Sequence, residues 1–243
     1  MKKIFLVLFI FGFSVANVSA VEVFTHGNRS LPEIAITFDA DMTPGMVKNL
    51  KSGKIKSYYN KKVVDVLNKE KVKATMFLTG MWVEQYPEIS KSLANNPLFE
   101  IANHSYSHPG FTKSCFGLPK VPSWGKDAEF AKSQKVIAEV TSVTPKYFRF
   151  PGGCYVNDDV NLANKQGLTV VGWDDASGDG FNTNIKGMVS KLKKNTQNGS
   201  ILVFHLHGNR NAPYSAEVLA QIIPYLRDKG FRFVTIGEMI KQL

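Results

Sequence analysis

Short runs of β-branched and aromatic residues alternate along the chain with longer stretches whose apolar residues recur every three or four positions. Residues 34–38, 74–78, 99–103, 147–150, 168–173, 201–204 and 232–236 read as strands by length and composition. The stretches between them read as helices. Asn60 is placed to cap one, with Val63, Val66 and Leu67 on a single face. Ser215 is placed to cap another, carrying Leu219, Ile222, Ile223 and Leu226 and stopped by Gly230. Strands alternating with helices predict an α/β fold with a parallel sheet, closed or nearly closed.

The chemistry-bearing residues fall at the carboxyl ends of these strands. Asp39 and Asp41 follow the first, His104 the third, Arg149 the fourth, Asp174 to Asp179 the fifth and His205 the sixth. In a parallel α/β barrel that end is the face on which sites are built. Two longer loops, 42–59 and 109–125, rise from the same rim. They carry Tyr58, Tyr59, Phe111, Phe116 and Trp124, whose rings can either stack on sugars or pack the loops.

Four of the five histidines lie in two tight pairs, His104 with His108 and His205 with His207. Residues two apart at a strand end point the same way, so Asp39 and Asp41 can share a pocket. Neighbouring carboxylates resist joint ionisation unless a cation intervenes. His104 and His108, one turn apart if helical, can bind one ion on one face. With Asp41 they make an Asp-His-His set, the right count for a catalytic zinc with an open position. The same set suits a non-haem iron oxygenase, so ligand identity alone does not settle the reaction. Histidines placed in core or surface without a metal are the plainer alternative.

Five stretches, in order, resemble the motifs of the polysaccharide deacetylases, carbohydrate esterase family four, the domain type of rhizobial chitooligosaccharide deacetylase. They are Thr37-Phe38-Asp39-Ala40-Asp41, His104-Ser-Tyr-Ser-His108, Arg149-Phe-Pro151-Gly152, Trp173-Asp-Asp-Ala-Ser-Gly-Asp179 and Gly199-Ser-Ile-Leu-Val-Phe-His205. The resemblance spans residues 33–239. It implies a distorted (β/α) barrel of about seven parallel strands with its site at the C-terminal rim. It also implies hydrolysis of N-acetyl or O-acetyl groups on a glycan, dependent on a divalent metal, zinc first among the candidates.

Residue by residue, the resemblance implies Asp39 as catalytic base and Asp41, His104 and His108 as metal ligands. Arg149 would hold the base, His205 would be the general acid, and Asp179 would orient that histidine. Gly152 would offer a backbone N–H to an oxyanion. Trp173, Leu202 and Phe204 would line the acetyl pocket or else serve as barrel core, and Tyr155 and His207 are expected to face substrate. Strand alternation puts His205 and His207 on the same side. Only the resemblance favours His205 as the acid, leaving His207 further out on the rim beside Gly208 and Asn209.

Three departures from the family pattern stand out. Ala40 separates two acids that are usually adjacent, Gly152 stands where a bulkier residue is usual, and Gly180 stands where an aromatic is common. The first acid of the fourth motif is either Asp175 or lost as Ala176. These departures predict a variant subgroup with altered substrate. An amide or imide hydrolase acting on a small non-sugar substrate and a metal-free glycan-binding pseudoenzyme remain alternatives.

The first twenty residues set the compartment expected. Lys2 and Lys3, an apolar run from Ile4 to Phe13 and the small-residue end Val18-Ser19-Ala20 read as a signal peptide over 1–20. A single catalytic domain over 21–243, with no later transmembrane segment, is then exported and periplasmic or secreted. The net charge of +10, or +8 without Lys2 and Lys3, suits anionic envelope polymers or plain solubility. Nucleic acid is not an expected partner, because no basic-aromatic motif is present. Export permits a disulfide between the only cysteines, Cys115 and Cys154, which would tie two rim loops together; two buried thiols are the alternative.

Overall fold

The computed structural model describes residues 22–208 and 211–242; the expected signal segment and Asn209 lie outside the described residues. In chain order the first half holds β1 (Glu33–Ala40), α1 (Pro44–Lys51), α2 (Lys61–Lys69), β2 (Ala74–Leu78), α3 (Gly80–Gln85), α4 (Pro87–Ala94) and β3 (Phe99–Asn103). There follow α5 (Gly125–Thr141), β4 (Tyr147–Phe148), α6 (Asn157–Lys165), β5 (Thr169–Val170) and β6 (Asp175–Ala176). The last elements are α7 (Ile185–Asn195), β7 (Ile201–His205), α8 (Ser215–Asp228), β8 (Arg232–Phe233) and α9 (Ile236–Ile240).

The strands form one curled parallel sheet in the order β5-β4-β3-β2-β1-β7-β6, with β8 pairing the start of β1. The barrel is distorted because no ladder joins β5 to β6 among the described residues. Along that open edge the amino-terminal segment bridges in parallel from Phe24 to Val171. All seven expected strands are present. The eighth, β6, has the sequence Asp-Ala, which carries no apolar signature, and it pairs Asp175 with Leu202.

β1 is buried along its whole length, as a central parallel strand should be. Its two faces divide cleanly. Ile34, Ile36, Phe38 and Ala40 face outward to a core shared with Leu219, Ile222 and Ile223 of α8. Ala35 faces inward with Phe77, Ala102 and Ile201. Period-two alternation therefore sends Thr37 and Asp39 inward as well, toward the carboxyl rim. Ser215 is not the cap of α8, a place Tyr214 takes. Asn60 does precede α2, without a side-chain cap bond. No helix among the described residues is long and apolar enough to cross a membrane.

Candidate active site

Asp39 ends the inward face of β1 and is 6% exposed. Its Oδ1 accepts a hydrogen bond from Arg149 Nη1 at 2.8 Å. That guanidinium is itself pinned: Nη1 also donates to Thr37 Oγ1, Nη2 to the Gly172 carbonyl at 3.0 Å, and its Cζ lies 4.0 Å over the Phe77 ring. With Oδ1 committed, Oδ2 of Asp39 is left facing the rim, 3.7 Å from His104 Nε2.

His104 and His108 lie on a loop and not on a helix, and the loop is built by its partners. Ser105 and His108 take positive φ of 70° and 56°, and His108 donates its backbone N–H to Ser105 Oγ. Glu129 of α5, fully buried, accepts from the backbone N–H groups of Tyr106 and Ser107, the Ser107 hydroxyl and Trp124 Nε1. No local sequence pattern marks Glu129 for this role. His104 Nδ1 lies 2.8 Å from the Arg149 carbonyl, which can only accept. The proton therefore sits on Nδ1, and Nε2 turns a lone pair toward Asp41.

Asp41 reaches the same point from just beyond the end of β1. Its Oδ1 is 3.4 Å from His104 Nε2 and 3.2 Å from His108 Nε2, buried and without a hydrogen-bond partner. These three residues form a group able to hold a metal ion. Burial alone would raise the Asp41 pKa, but the imidazoles of His108, His207 and His104 outweigh it and hold the carboxyl well below its usual value. Burial likewise pulls the His108 pKa down, against Asp41. For His104 burial loses to Asp39 and Asp41, and the pKa rises.

Across the cavity, His205 Nδ1 lies 2.7 Å from Asp179 Oδ1, and its backbone N–H donates to Oδ2. The Ser215 hydroxyl donates to the same Oδ2 at 2.7 Å, so the residue expected as a helix cap supports this carboxylate instead. Burial acts to lower the His205 pKa, yet Asp179, Asp41 and Asp39 together push it up to about 10. A Cβ at Gly180 would stand 3.0 Å from His205 Cε1, which explains the absence of a side chain there.

Asp39, Asp41, His104, His108, Gly152, Trp173, Asp179, His205 and His207 all line one cavity of about 480 Å³. Several expectations need correction. Leu202 and Phe204 point away from it into the outer core, because His205 faces inward and alternation then selects Val203. Tyr155 stacks on Phe150 at 5.0 Å against a separate core cluster and does not line the cavity. His207 is 1% exposed, packed against Asp41 in the cavity wall and not further out toward solvent. Asp175 pairs with Lys191, and Asp174 with Arg29, both away from the cavity.

Cys115 and Cys154 are bonded to each other. Gly152 adopts φ of 61°, and a Cβ there would lie 2.8 Å from Cys115 Sγ, so the disulfide occupies the space of the missing side chain. Of the loop aromatics, Tyr58 and Phe111 are buried and Trp124 is tied to Glu129, whereas Phe116 is 76% exposed. It pairs at 6.2 Å with Phe181, 85% exposed and absent from the sequence reading, at the cavity mouth.

A family model described as polysaccharide deacetylase matches residues 26–171. The chain belongs to the polysaccharide deacetylase family. A peptidoglycan-N-acetylglucosamine deacetylase of Bacillus cereus is 31% identical over 211 residues, covering 86% of this chain and 88% of the relative. The solved structure of the Bc1960 peptidoglycan N-acetylglucosamine deacetylase superposes with a TM-score of 0.76 at 27% identity, covering 89% of this chain and 92% of that one. BA3943 of Bacillus anthracis, described as a pseudoenzyme of the same family, shares the fold with a TM-score of 0.74 at 19% identity, over 91% of this chain and 70% of that one. Within this family, fold alone does not decide activity; the residues at the rim must.

Proposed function

We propose that this polysaccharide deacetylase is a metal-dependent hydrolase that removes acetyl groups from a cell-envelope glycan outside the cytoplasm, peptidoglycan first among the candidates. The observation that carries the reading is the pairing of Asp39 and His205 on neighbouring strands around an Asp-His-His cluster with an orphaned carboxylate oxygen. The donor set fits a divalent ion: one carboxylate oxygen without a partner and one imidazole whose free nitrogen faces it. Asp41, His104 and His108 would hold it. When bound, the ion would acidify a water to a pKa of about 7 and polarise the acetyl carbonyl.

Asp39, its Oδ1 held by Arg149, uses Oδ2 to take the proton from the attacking water. His205, kept protonated by Asp179, gives its Nε2 proton to the departing amine or alcohol. The backbone N–H of Gly152 faces the developing oxyanion, and Trp173 and Val203 give the acetyl methyl an apolar wall. The relatives' named substrate and the signal-like residues 1–20 support an envelope glycan met after export.

The test is acetate release from N-acetylated and O-acetylated peptidoglycan and from chitin-like oligosaccharides. Release is expected from at least one, abolished by a chelator and restored by zinc. Zinc-loaded protein that releases acetate from none of them, yet hydrolyses a small cyclic imide, would move the reading to the non-sugar alternative.

A further inference from the structure

We propose that residues 23–29 form a strap that closes the barrel and positions the catalytic base: Phe24 holds Gly172, Gly172 holds Arg149, and Arg149 holds Asp39. The proposal rests on the reading of Asp39 as base and gives the amino-terminal segment a part in it.

The strap spans the opening left in the sheet. β5 has a ladder only with β4, and β6 pairs with β7 only at Leu202 and Val203. On one side of that opening the Phe24 N–H donates to the Val170 carbonyl, and the Gly172 N–H donates to the Phe24 carbonyl, both at 2.9 Å. These two bonds flank Val171, as in a parallel ladder. On the other side the Gly27 N–H donates to the Gly199 carbonyl at 2.8 Å. Arg29 adds bonds to the Asn198 carbonyl and the Asp174 carboxylate. Glycines make room at both contacts: a Cβ at Gly172 would lie 3.1 Å from Thr25 Cγ2, and one at Gly199 2.6 Å from the Gly27 carbonyl oxygen. Phe24 packs against the inner cluster of Ala35, Phe77 and Val171, so the strap is seated in the barrel wall.

Gly172 carries the effect to the site. It lies past the end of β5, and among the described residues Phe24 is the one backbone partner of its N–H. Its carbonyl accepts from Arg149 Nη2 at 3.0 Å, and the neighbouring Val171 carbonyl accepts from Nε at 3.4 Å. Nη1 of the same guanidinium donates to Asp39 Oδ1 at 2.8 Å. Arg149 is 1% exposed, so an N–H that loses the Gly172 carbonyl is a buried donor left unpaired. The guanidinium is a rigid planar fork, so a shift at Nη2 moves Nη1, and Asp39 with it. A misplacement of about 1 Å at a reacting group is enough to slow turnover roughly 100-fold.

Phe24→Pro, which deletes the strap's N–H donor to Val170, tests the link. Exchange of the Gly172 amide proton should speed up and the zinc content should stay as in the parent. KM should stay within about 3-fold while kcat falls roughly 10–100-fold. In an Arg149→Met background the same change should lower kcat no further, because the strap acts through Arg149. Unaltered kcat, unaltered Gly172 exchange, or an equal further loss in the Arg149→Met background overturns the proposal. Loss of zinc along with kcat would show a general loosening of the rim and overturns it as well. NMR of the parent is independent of how any variant folds: the Gly172 amide and the Arg149 guanidinium protons are expected to exchange slowly, and fast exchange at either contradicts the proposal. A parent that releases acetate from no glycan overturns the deacetylase reading by itself. The strap is then judged on the Arg149 guanidinium protons alone, which Phe24→Pro should expose to faster exchange; equal protection in parent and variant overturns it.

Discussion

At the amino-terminal end of the sheet, Glu33 is closed off by Arg232 and Gln242, and Glu100 accepts from the Thr75 hydroxyl and the Gly237 N–H. At the carboxyl end, Asp39 is equally well held by Arg149, yet Oδ1 of Asp41 and Nδ1 of His108 and His207 are buried without partners. The same strands run through both ends, so the difference does not come from the sheet. An unpaired buried polar group costs about 1–3 kcal/mol, which Glu33 and Glu100 avoid and Oδ1 of Asp41 does not. The two acids at the base complete the fold, whereas Asp41, His104 and His108 at the rim are the group we propose to hold a ligand from outside the chain.

Four changes sharpen or break that contrast. His205→Gln should lower kcat by roughly 10²–10⁴-fold with metal content intact. Retained turnover would mean that the rim acid has been misnamed. Arg149→Met should cost roughly 3–5 kcal/mol of stability, because it leaves Asp39 buried and unpaired. Chemical denaturation would read that loss, and a change under about 1 kcal/mol would contradict the tight Arg149–Asp39 lock.

Asp179→Asn should shift a pH profile. The acid must be protonated, and Asp179 is the leading attraction that lifts His205 to about 10. Without it the His205 pKa falls, so the alkaline limb of kcat should move to lower pH. The same pair contributes stability that is fully present below the ordinary histidine pKa of about 6.5 and lost as pH rises through about 10. An unmoved limb would show that another group sets it.

Glu100→Gln, at the base, should do least. Burial raises the Glu100 pKa, against the Gly237 and Thr75 hydrogen bonds, so charging this side chain costs the fold free energy. A neutral side chain of the same shape should change stability by less than about 1 kcal/mol and leave acetate release unaltered. A large loss of activity there would break the division between the two ends.

Much of this was legible in the sequence. Buried parallel strands announce themselves by apolar runs, and all seven were placed. β6 was not, because a two-residue strand of Asp-Ala is held by its neighbour and not by its own composition. The rim residues were found because short-range spacing reports them. Leu202 and Phe204 were assigned to the wrong face, although fixing His205 inward should have selected Val203 by alternation. The burial of His207 could have been read only from the register of β1 against β7. Glu129 and Ser215 act across long sequence separations, through hydrogen bonds that no local pattern encodes. Gly152 and Gly180 looked like losses and are fittings, one to the disulfide and one to His205.

The central claim is that Asp41, His104 and His108 form a binding place for one divalent ion. Its most direct test is the zinc content and affinity of purified protein beside those of His104→Ala. The account predicts about one tightly held ion per chain in the parent and none retained by the variant. A parent without tight zinc, or a His104→Ala protein that keeps a full equivalent, would contradict it.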